Sequence, residues 1–97
     1  SQDHKEAVRW FRRAALQGHP NAQNSLANLL NQGLGTEQDS VEAVRWYKLS
    51  AAQGNGFAQN NLGSAYDAGK GVAQDHKEAV RWWKLAAAKD QAENFTK

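Results

Sequence analysis

The sequence contains no cysteine, no long apolar run and little excess of charge of either sign. Without cysteine, no disulfide, thiolate metal site or cysteine nucleophile can form, and either redox compartment is permitted. No apolar run approaches the roughly 20 residues that a membrane-spanning helix needs, and the first residues lack the apolar stretch of a signal peptide. We therefore expect no membrane partner, whereas the compartment stays open.

The 12 basic and 10 acidic residues are spread along the chain and leave a formal net charge of +2. This balance does not favour a nucleic-acid partner, because nucleic-acid-binding domains concentrate basic residues on one face. With 97 residues, 40% of them hydrophobic, the chain is long enough for at most one ordinary domain with a modest core.

The clearest pattern is an internal repeat with a period of 36 residues. Residues 2–10 and 74–82 both read QDHKEAVRW, and residues 38–46 read QDSVEAVRW. Segments 2–37 and 38–73 agree at 16 of 36 positions. Repeats of this length are typical of solenoids, in which neighbouring units stack because one unit cannot bury its apolar face alone.

A longer helix opens each period. Three aspartates are each followed three residues later by a glutamate, which is the capping-box signature of a helix start. In the middle unit, apolar positions from Ala43 to Ala51 follow helical spacing. Gly54 and Gly18 can end their helices in the left-handed conformation, whereas Asp90 takes this position in the third unit, so that helix ends differently or runs on. The capping pairs are Asp3 and Glu6, Asp39 and Glu42, and Asp75 and Glu78.

A shorter helix of about ten residues is predicted to start near Ala22 and again near Ala58, because apolar residues recur there at helical spacing. Pro20 fits the first turn of the earlier one, where no backbone donor is needed. The predicted fold is all-α, an α-solenoid of stacked antiparallel helix pairs with about two and a half repeats. Its single domain, 1–97, divides into a half repeat at 3–18, repeats at 22–54 and 58–90, and a C-terminal stub at 91–97.

Tryptophans at 10, 46 and 82 share one phase of the repeat. We expect their rings to pack between neighbouring helix pairs as a repeating core contact, in preference to a ligand-stacking role. Since no helix pair precedes the first unit, Trp10 and Phe11 lack a cover. The exposed ends of the solenoid therefore predict self-association at high concentration.

The last full unit carries a long, spaced motif, and the preceding unit repeats it with departures at Ala27, Leu30 and Thr36. This motif resembles the Sel1-like repeat family, which is related to tetratricopeptide repeats and usually has Gly, Tyr and Val at those three positions. The resemblance implies a right-handed α-superhelix that serves in bacteria as an adaptor or peptide-binding surface. It implies no enzyme and no cofactor. The motif comprises Ala58–Tyr66, Gly69–Val72, Asp75, Glu78, Ala79, Trp82, Trp83, Ala86 and Ala87.

A polar stripe rich in amides runs along the two short helices, beside their core face. An amide side chain offers both a donor and an acceptor to the backbone of an extended peptide. In the related tetratricopeptide family, these phases of the first helix line the concave groove, so we predict contact with a partner there; a merely solvated polar face explains the same residues. The predicted groove residues are Asn24, Asn28, Asn31, Gln32, Phe57, Asn60, Asn61, Ser64 and Asp67, and Asn21, Ser25 and Ala68 complete the stripe.

The longer helices carry a second stripe, which is basic. A phosphate-tracking surface has this character, but a glutamate lies three residues before one arginine of each unit, so local ion pairs on a solvated face explain it better. The stripe consists of Arg9, Arg12, Arg13, Arg45, Lys48, Arg81 and Lys84.

No catalytic or metal constellation is recognisable. The three histidines, His4, His19 and His76, do not share a helix face with carboxylates at ligand spacing, and no nucleophile elbow or HExxH is present. The family resemblance and the amide-rich stripe together imply a protein-interaction module that binds a peptide or partner protein on its concave face. The alternative is a structural spacer, a fragment of a longer array that sets geometry while binding occurs elsewhere.

Overall fold

A computed structural model describes the backbone of residues 2–95 and the side chains of residues 3–89, and within these limits the chain forms five α-helices and no β-strand. Consecutive helices pack against one another, as in a solenoid. The predicted all-α repeat fold is confirmed. The stub predicted at 91–97 lies outside the described side chains. The helices are α1 (Gln2–Leu16), α2 (Pro20–Gln32), α3 (Ser40–Ala52), α4 (Gly56–Ala68) and α5 (His76–Phe95).

Two of the three predicted aspartate caps are present. The Asp39 carboxylate accepts the backbone N–H of Glu42 at 3.0 Å, and Asp75 accepts that of Glu78 at 3.1 Å. Helix α1 begins at Gln2, so Asp3 lies inside its first turn and the cap predicted there is wrong. An acidic side chain in the first turn still interacts favourably with the positive end of the helix dipole.

The two short helices have 13 residues each and begin at Pro20 and Gly56, two residues before the starts predicted near Ala22 and Ala58, and Pro20 lies in the first turn as predicted. The prediction placed each start at the first apolar residue, whereas the cap determines the start of α4. The Asn55 side chain accepts the backbone N–H of Ala58 at 2.9 Å. His19 holds the equivalent place before α2 without a side-chain cap, and Pro20 in the first position supplies a preset φ angle instead.

The ends of the helices follow the glycines. Gly18 and Gly54, predicted to take the left-handed conformation, have φ angles of 94° and 93°. Asp90 stands where these glycines turn the chain, and α5 continues through it to Phe95. A non-glycine residue resists positive φ, so of the two expectations for this helix, continuation is the one observed.

Small residues and leucines form the core. Leu26, Leu62 and Ala43 are fully buried, and Ser50, also fully buried, donates its hydroxyl to the Pro20 carbonyl at 2.7 Å. This bond attaches α3 to the first turn of α2. On the predicted apolar face of α3, four residues are buried and Trp46 is half-buried.

The tryptophans do not share one environment. Trp46 and Trp82 are half-buried against the core, as expected, but Trp10 is 61% exposed. The core contact expected of all three rings therefore does not extend to Trp10, which was also predicted to lack a cover, and no helix of the described chain lies ahead of α1. Phe11 is half-buried.

A matched pair of substitutions explains one departure from the family motif. A Cβ atom added to Gly63 would lie 2.5 Å from the Trp83 indole nitrogen, so the ring packs directly on the α4 backbone. The equivalent positions one repeat earlier are Ala27 and Tyr47, both buried. The preceding repeat thus combines the larger of the two small residues with the smaller of the two rings.

The junction between the half repeat and the next helix pair is held by a charged contact, which we call the first junction. The Arg12 guanidinium donates to Glu42 Oε2 at 2.9 Å, and the Trp46 indole N–H donates to the same oxygen at 3.1 Å. The hydrogen bond from Arg12 lowers the pKa of the Glu42 carboxyl, although partial burial opposes it.

The equivalent second junction is built differently. Glu78 binds Arg81 of its own helix at 2.6 Å, and the Arg81 guanidinium lies 4.7 Å from the Trp82 ring centroid. The Trp82 indole nitrogen is buried and finds no acceptor in the described part of the chain. Lys48, which replaces Arg12, lies 6.0 Å from the ring centroid of Tyr66.

Candidate partner-binding surface

An amide cluster joins the two short helices. The Asn61 side chain, on α4, donates to Asn24 Oδ1 at 3.0 Å and to Asn28 Oδ1 at 3.3 Å, both on α2. The Tyr47 hydroxyl donates to the same Asn28 oxygen. Burial raises the pKa of Tyr47 to about 12, because the phenolate would lose its hydration. Three of the predicted groove residues thus lie together.

The cluster leaves donors unused. The amide nitrogens of Asn24 and Asn28 have no acceptor among the described residues, while their oxygens are occupied. An amide group can donate two hydrogen bonds through this nitrogen. The half-buried side chains therefore present N–H groups that could bind the carbonyl oxygens of a partner.

Predicted groove residues line two clefts of the described structure. The one that we call the larger cleft, of about 530 Å³, lies between the start of α4 and α5. Phe57 and Asn60, both predicted groove residues, line it together with Trp83, and Phe57 is 76% exposed. The Trp83 indole N–H donates to the Asn60 carbonyl at 3.2 Å, which fixes the ring at the wall. The remaining lining residues are Asn21, Asn55, Gly56, Ala86, Ala87 and Lys89.

The smaller cleft, of about 220 Å³, lies beside the amide cluster. Asn31, Asn61 and Ser64, all predicted groove residues, line it with Tyr47 and Val44. The Asn31 side chain also accepts the Ser40 hydroxyl at 3.0 Å. The volume of this cleft is less than half that of the larger cleft, so it suits a single side chain.

Two predicted groove residues lie elsewhere. Asp67 binds the His76 ring at 2.7 Å, at the end of α4 remote from the larger cleft. Gln32 is exposed, and its side chain makes no hydrogen bond or ion pair within the described portion. Neither lines a cleft, because the polar stripe extends along the full length of each helix while the clefts occupy parts of it.

Sequence reasoning missed several residues of the clefts. Trp83 was assigned to the family motif and Tyr47 to the core, although each ring has an edge at a cleft. Asn55 was not identified as the cap of α4, yet its amide also donates to Asn21 Oδ1 at 2.7 Å, which joins α4 to α2. The asparagine directly before the apolar positions of α4 was the available signal.

The basic stripe is partly neutralised. Arg9 pairs with Glu6 and Arg81 with Glu78, as predicted. The pair predicted between Glu42 and Arg45 is absent from the described contacts, because Glu42 binds Arg12 across the first junction. That nucleic acid is not a partner stays a prediction.

In the part of the chain that the structure describes, no group of three or more histidine, aspartate or glutamate side chains is arranged to hold a metal ion. No helix there is long and apolar enough to cross a membrane.

The Sel1 repeat family model matches residues 1–19, 20–55 and 56–91. Among curated proteins, none matches the sequence. Sel1 repeats are generally protein–protein interaction modules, and proteins built from them are typically non-enzymatic scaffolds.

Three solved structures resemble this one. The first is c5321, a protective antigen present in uropathogenic Escherichia coli strains, which is 39% identical with a TM-score of 0.86 and is matched over 88% of this chain and 18% of its own. A Sel1 repeat protein from Oxalobacter formigenes is 41% identical with a TM-score of 0.83, over 84% and 63%. Helicobacter pylori cysteine rich protein B, at 22% identity and a TM-score of 0.80 over 84% and 61%, shares the fold.

This chain thus spans less than two thirds of each of these proteins. The three matches to the repeat model together cover residues 1–91 without a gap. The chain belongs to the Sel1 repeat family.

Proposed function

We propose that this chain binds a partner protein or peptide on the surface shared by α2 and α4, including the larger cleft. The observation that carries the proposal is the combination of an exposed aromatic ring, Phe57, with donors that have no internal acceptor at Asn24 and Asn28. Exposed apolar area beside directed polar groups is what a peptide site requires.

A structural spacer is the second candidate, and the amide cluster favours it. Asn61 and Asn55 use their side chains to hold α4 against α2. These residues therefore contribute to the geometry of the array whether or not a partner binds. The two roles differ in what they require of Phe57 and Asn60, whose side chains hold no helices together.

The test is capture of partners from a bacterial lysate on immobilised chain. The informative variant is Phe57→Ala with Asn60→Ala, because both side chains are exposed and their loss should leave the fold intact. The matched control is Val41→Ala with Leu49→Ala, which removes two exposed apolar side chains of α3 that line a separate cleft of about 490 Å³.

We expect the wild-type chain and the control to retain the same protein, and the Phe57 and Asn60 variant to lose it. Equal retention by all three chains would refute binding at this surface. The absence of any specifically captured protein, with a folded bait, would favour the spacer.

A further inference from the structure

Helix α2 carries a row of asparagines that all point the same way, and we call it the donor row. It consists of Asn21, Asn24, Asn28 and Asn31. The side-chain oxygen of each one accepts a hydrogen bond from α3, from α4 or from the cap of α4. The donors to these oxygens are, in the same order, Asn55, Asn61, Tyr47 and Ser40.

The side-chain nitrogens of the donor row are open to solvent. None of them donates to a residue of the described chain. Among the described residues, the buried side-chain polar atoms without a partner are Gln59 Oε1 and the Trp82 indole nitrogen, so the nitrogens of the three half-buried asparagines of the row are not buried. The fourth asparagine, Asn21, is exposed. The row therefore presents its donors to a partner and turns its oxygens inward.

The equivalent positions of α4 lack this polarity. Phe57, Asn60, Ser64 and Asp67 occupy them. The Ser64 hydroxyl donates to the Asn60 backbone carbonyl at 3.2 Å, and the Asp67 carboxylate binds the His76 ring at 2.7 Å. The donor row is thus specific to α2. Because α2 packs against both α1 and α3, the row lies within the array and not on its first or last helix.

The charge at one end of the donor row is positive. Lys70 lines the smaller cleft together with Asn31 of the row, and no acidic side chain of the described residues lines that cleft. The Lys70 ammonium forms no ion pair with a described residue. A row of open donors that ends at a cation favours an acceptor with negative charge.

A carboxylate is the group that these donors fit best. It brings two oxygens that accept and no donor, and hydrogen bonds to an ionised acceptor are roughly twice as strong as those between neutral groups. A peptide backbone brings an N–H group with each carbonyl. The side-chain oxygens of Asn60 and Asn61, on the α4 side, accept nothing from the described residues and can accept those N–H groups.

We propose that the segment held on the surface of α2 and α4 is acidic. Its aspartate or glutamate side chains accept from the donor row, and one carboxylate pairs with Lys70. The row spans about 15 Å along the helix, which matches about five residues of an extended peptide. The inference rests on the proposed function and names the chemical class of the partner's segment.

A nucleic acid strand, the other polymer rich in anionic acceptors, fits this surface less well. Surfaces that follow a phosphate backbone carry several basic side chains along it. Lys70 is the one basic residue that lines the smaller cleft. The basic stripe belongs to other helices, namely α1, α3 and α5.

The test measures binding of labelled probes to the full chain by fluorescence anisotropy, at about 0.15 M salt. The first probe is an eight-residue peptide of alternating aspartate and leucine, whose carboxylates share one side when it is extended. The second has asparagine in place of each aspartate, which keeps the size and removes the charge. The third is an oligonucleotide of ten thymidines.

Two pairs of chain variants locate the binding. Lys70→Gln removes the cation of the smaller cleft, and its control, Lys77→Gln, removes an exposed lysine near the start of α5. Asn28→Asp replaces an outward nitrogen of the donor row with oxygen and keeps the oxygen that the chain itself binds. Its control, Gln17→Glu, makes the same chemical change at an exposed amide just after α1.

We expect saturable binding of the aspartate peptide and about tenfold or more weaker binding of the asparagine peptide. Lys70→Gln should weaken binding of the aspartate peptide about threefold or more and Asn28→Asp about tenfold or more, with both controls within about twofold of wild type. Equal affinity for the two peptides, equal losses in a variant and its control, or no saturation below about 1 mM would overturn the inference.

The oligonucleotide decides between the two anionic polymers. We expect it to bind more weakly than the aspartate peptide, and tighter binding would overturn the inference in favour of a nucleic acid. If the aspartate peptide fails while lysate capture still depends on Phe57 and Asn60, the acidic segment is wrong and the proposed function stands. The two failures are distinguishable, because the capture variant changes α4 whereas the variants used here change α2 and Lys70.

Discussion

The first and second junctions of the solenoid each carry a glutamate and a tryptophan at equivalent positions. The contacts of these side chains differ between the two junctions. At the first junction, Glu42 reaches across the repeat boundary to Arg12 and accepts the Trp46 indole N–H. At the second, Glu78 turns to Arg81 in its own helix, and the Trp82 donor is buried without an acceptor in the described chain.

This difference follows from one position. Arginine at position 12 brings a planar, multidonor group that a carboxylate can bind while still accepting from the indole. Lysine at the equivalent position 48 offers a compact ammonium instead, and it lies near Tyr66. A repeat sequence therefore specifies the fold of each unit, whereas single side chains decide how tightly the units are coupled.

The largest expected effect is that of removing the ring at the first junction. Trp46→Ala should lower the free energy of unfolding by about 3 to 5 kcal/mol, as large aromatic truncations in cores do. Trp82→Ala should cost less, because it also removes a buried donor without an acceptor. Urea denaturation of both variants measures the difference, and a cost below about 1 kcal/mol for Trp46→Ala would refute the stacking of repeats through this ring.

The next effect concerns the pairing of a small residue with a large ring. Gly63→Ala should destabilise the chain by about 1 to 3 kcal/mol, because the added methyl group overlaps the Trp83 indole. Adding Trp83→Tyr reproduces the Ala27 and Tyr47 combination of the preceding repeat and should recover part of the loss. A double-mutant cycle in urea measures this coupling, and strictly additive costs would show that the two sites do not compensate.

A smaller effect on the free energy of unfolding should distinguish the indole N–H of Trp46 from that of Trp82. Trp46→Phe should lose about 0.5 to 1.5 kcal/mol, since it deletes a hydrogen bond to Glu42. Trp82→Phe should lose less, because both variants lose the same ring atoms but phenylalanine at position 82 removes a donor that has no acceptor. Equal losses in the two variants would mean that the Trp82 nitrogen is satisfied in solution.

The smallest effect is a dependence on pH. The pKa of Glu42 is lower in the folded chain than the ordinary 4.5, so its ion pair stabilises the fold above that pH. This contribution should be lost as pH falls from 4.5 through the folded-state pKa. Glu42→Gln should flatten that part of the stability curve, and an unchanged slope between wild type and variant would contradict the assignment.

The fold was largely predictable from the sequence, because a 36-residue period, two aspartate caps and the glycines each act locally. Helix starts were predicted less well where a cap that had not been identified, Asn55, determines them. Of the amide stripe, the sequence could not separate Asn61, which holds two helices together, from Asn60, whose side chain lines a cleft. That distinction depends on the angle at which neighbouring helices pack, which no single helix encodes.

The exposure of Val80 and Ala87 on α5 was also out of reach of the sequence. The prediction concerned the other end of the solenoid, where Trp10 is 61% exposed, and self-association there stays a prediction. Val80 and Ala87 are the same residue types as their buried equivalents, Val44 and Ala51, so exposure alone distinguishes them.

Hydroxyl-radical footprinting of the chain with a captured partner bound tests the central claim most directly, namely that partners are held on the surface of α2, α4 and the larger cleft. We expect the partner to protect Phe57 and Trp83 from oxidation and to leave Val41 and Leu49 on α3 as reactive as in the free chain. Protection of Val41 and Leu49 with Phe57 still reactive would contradict the account.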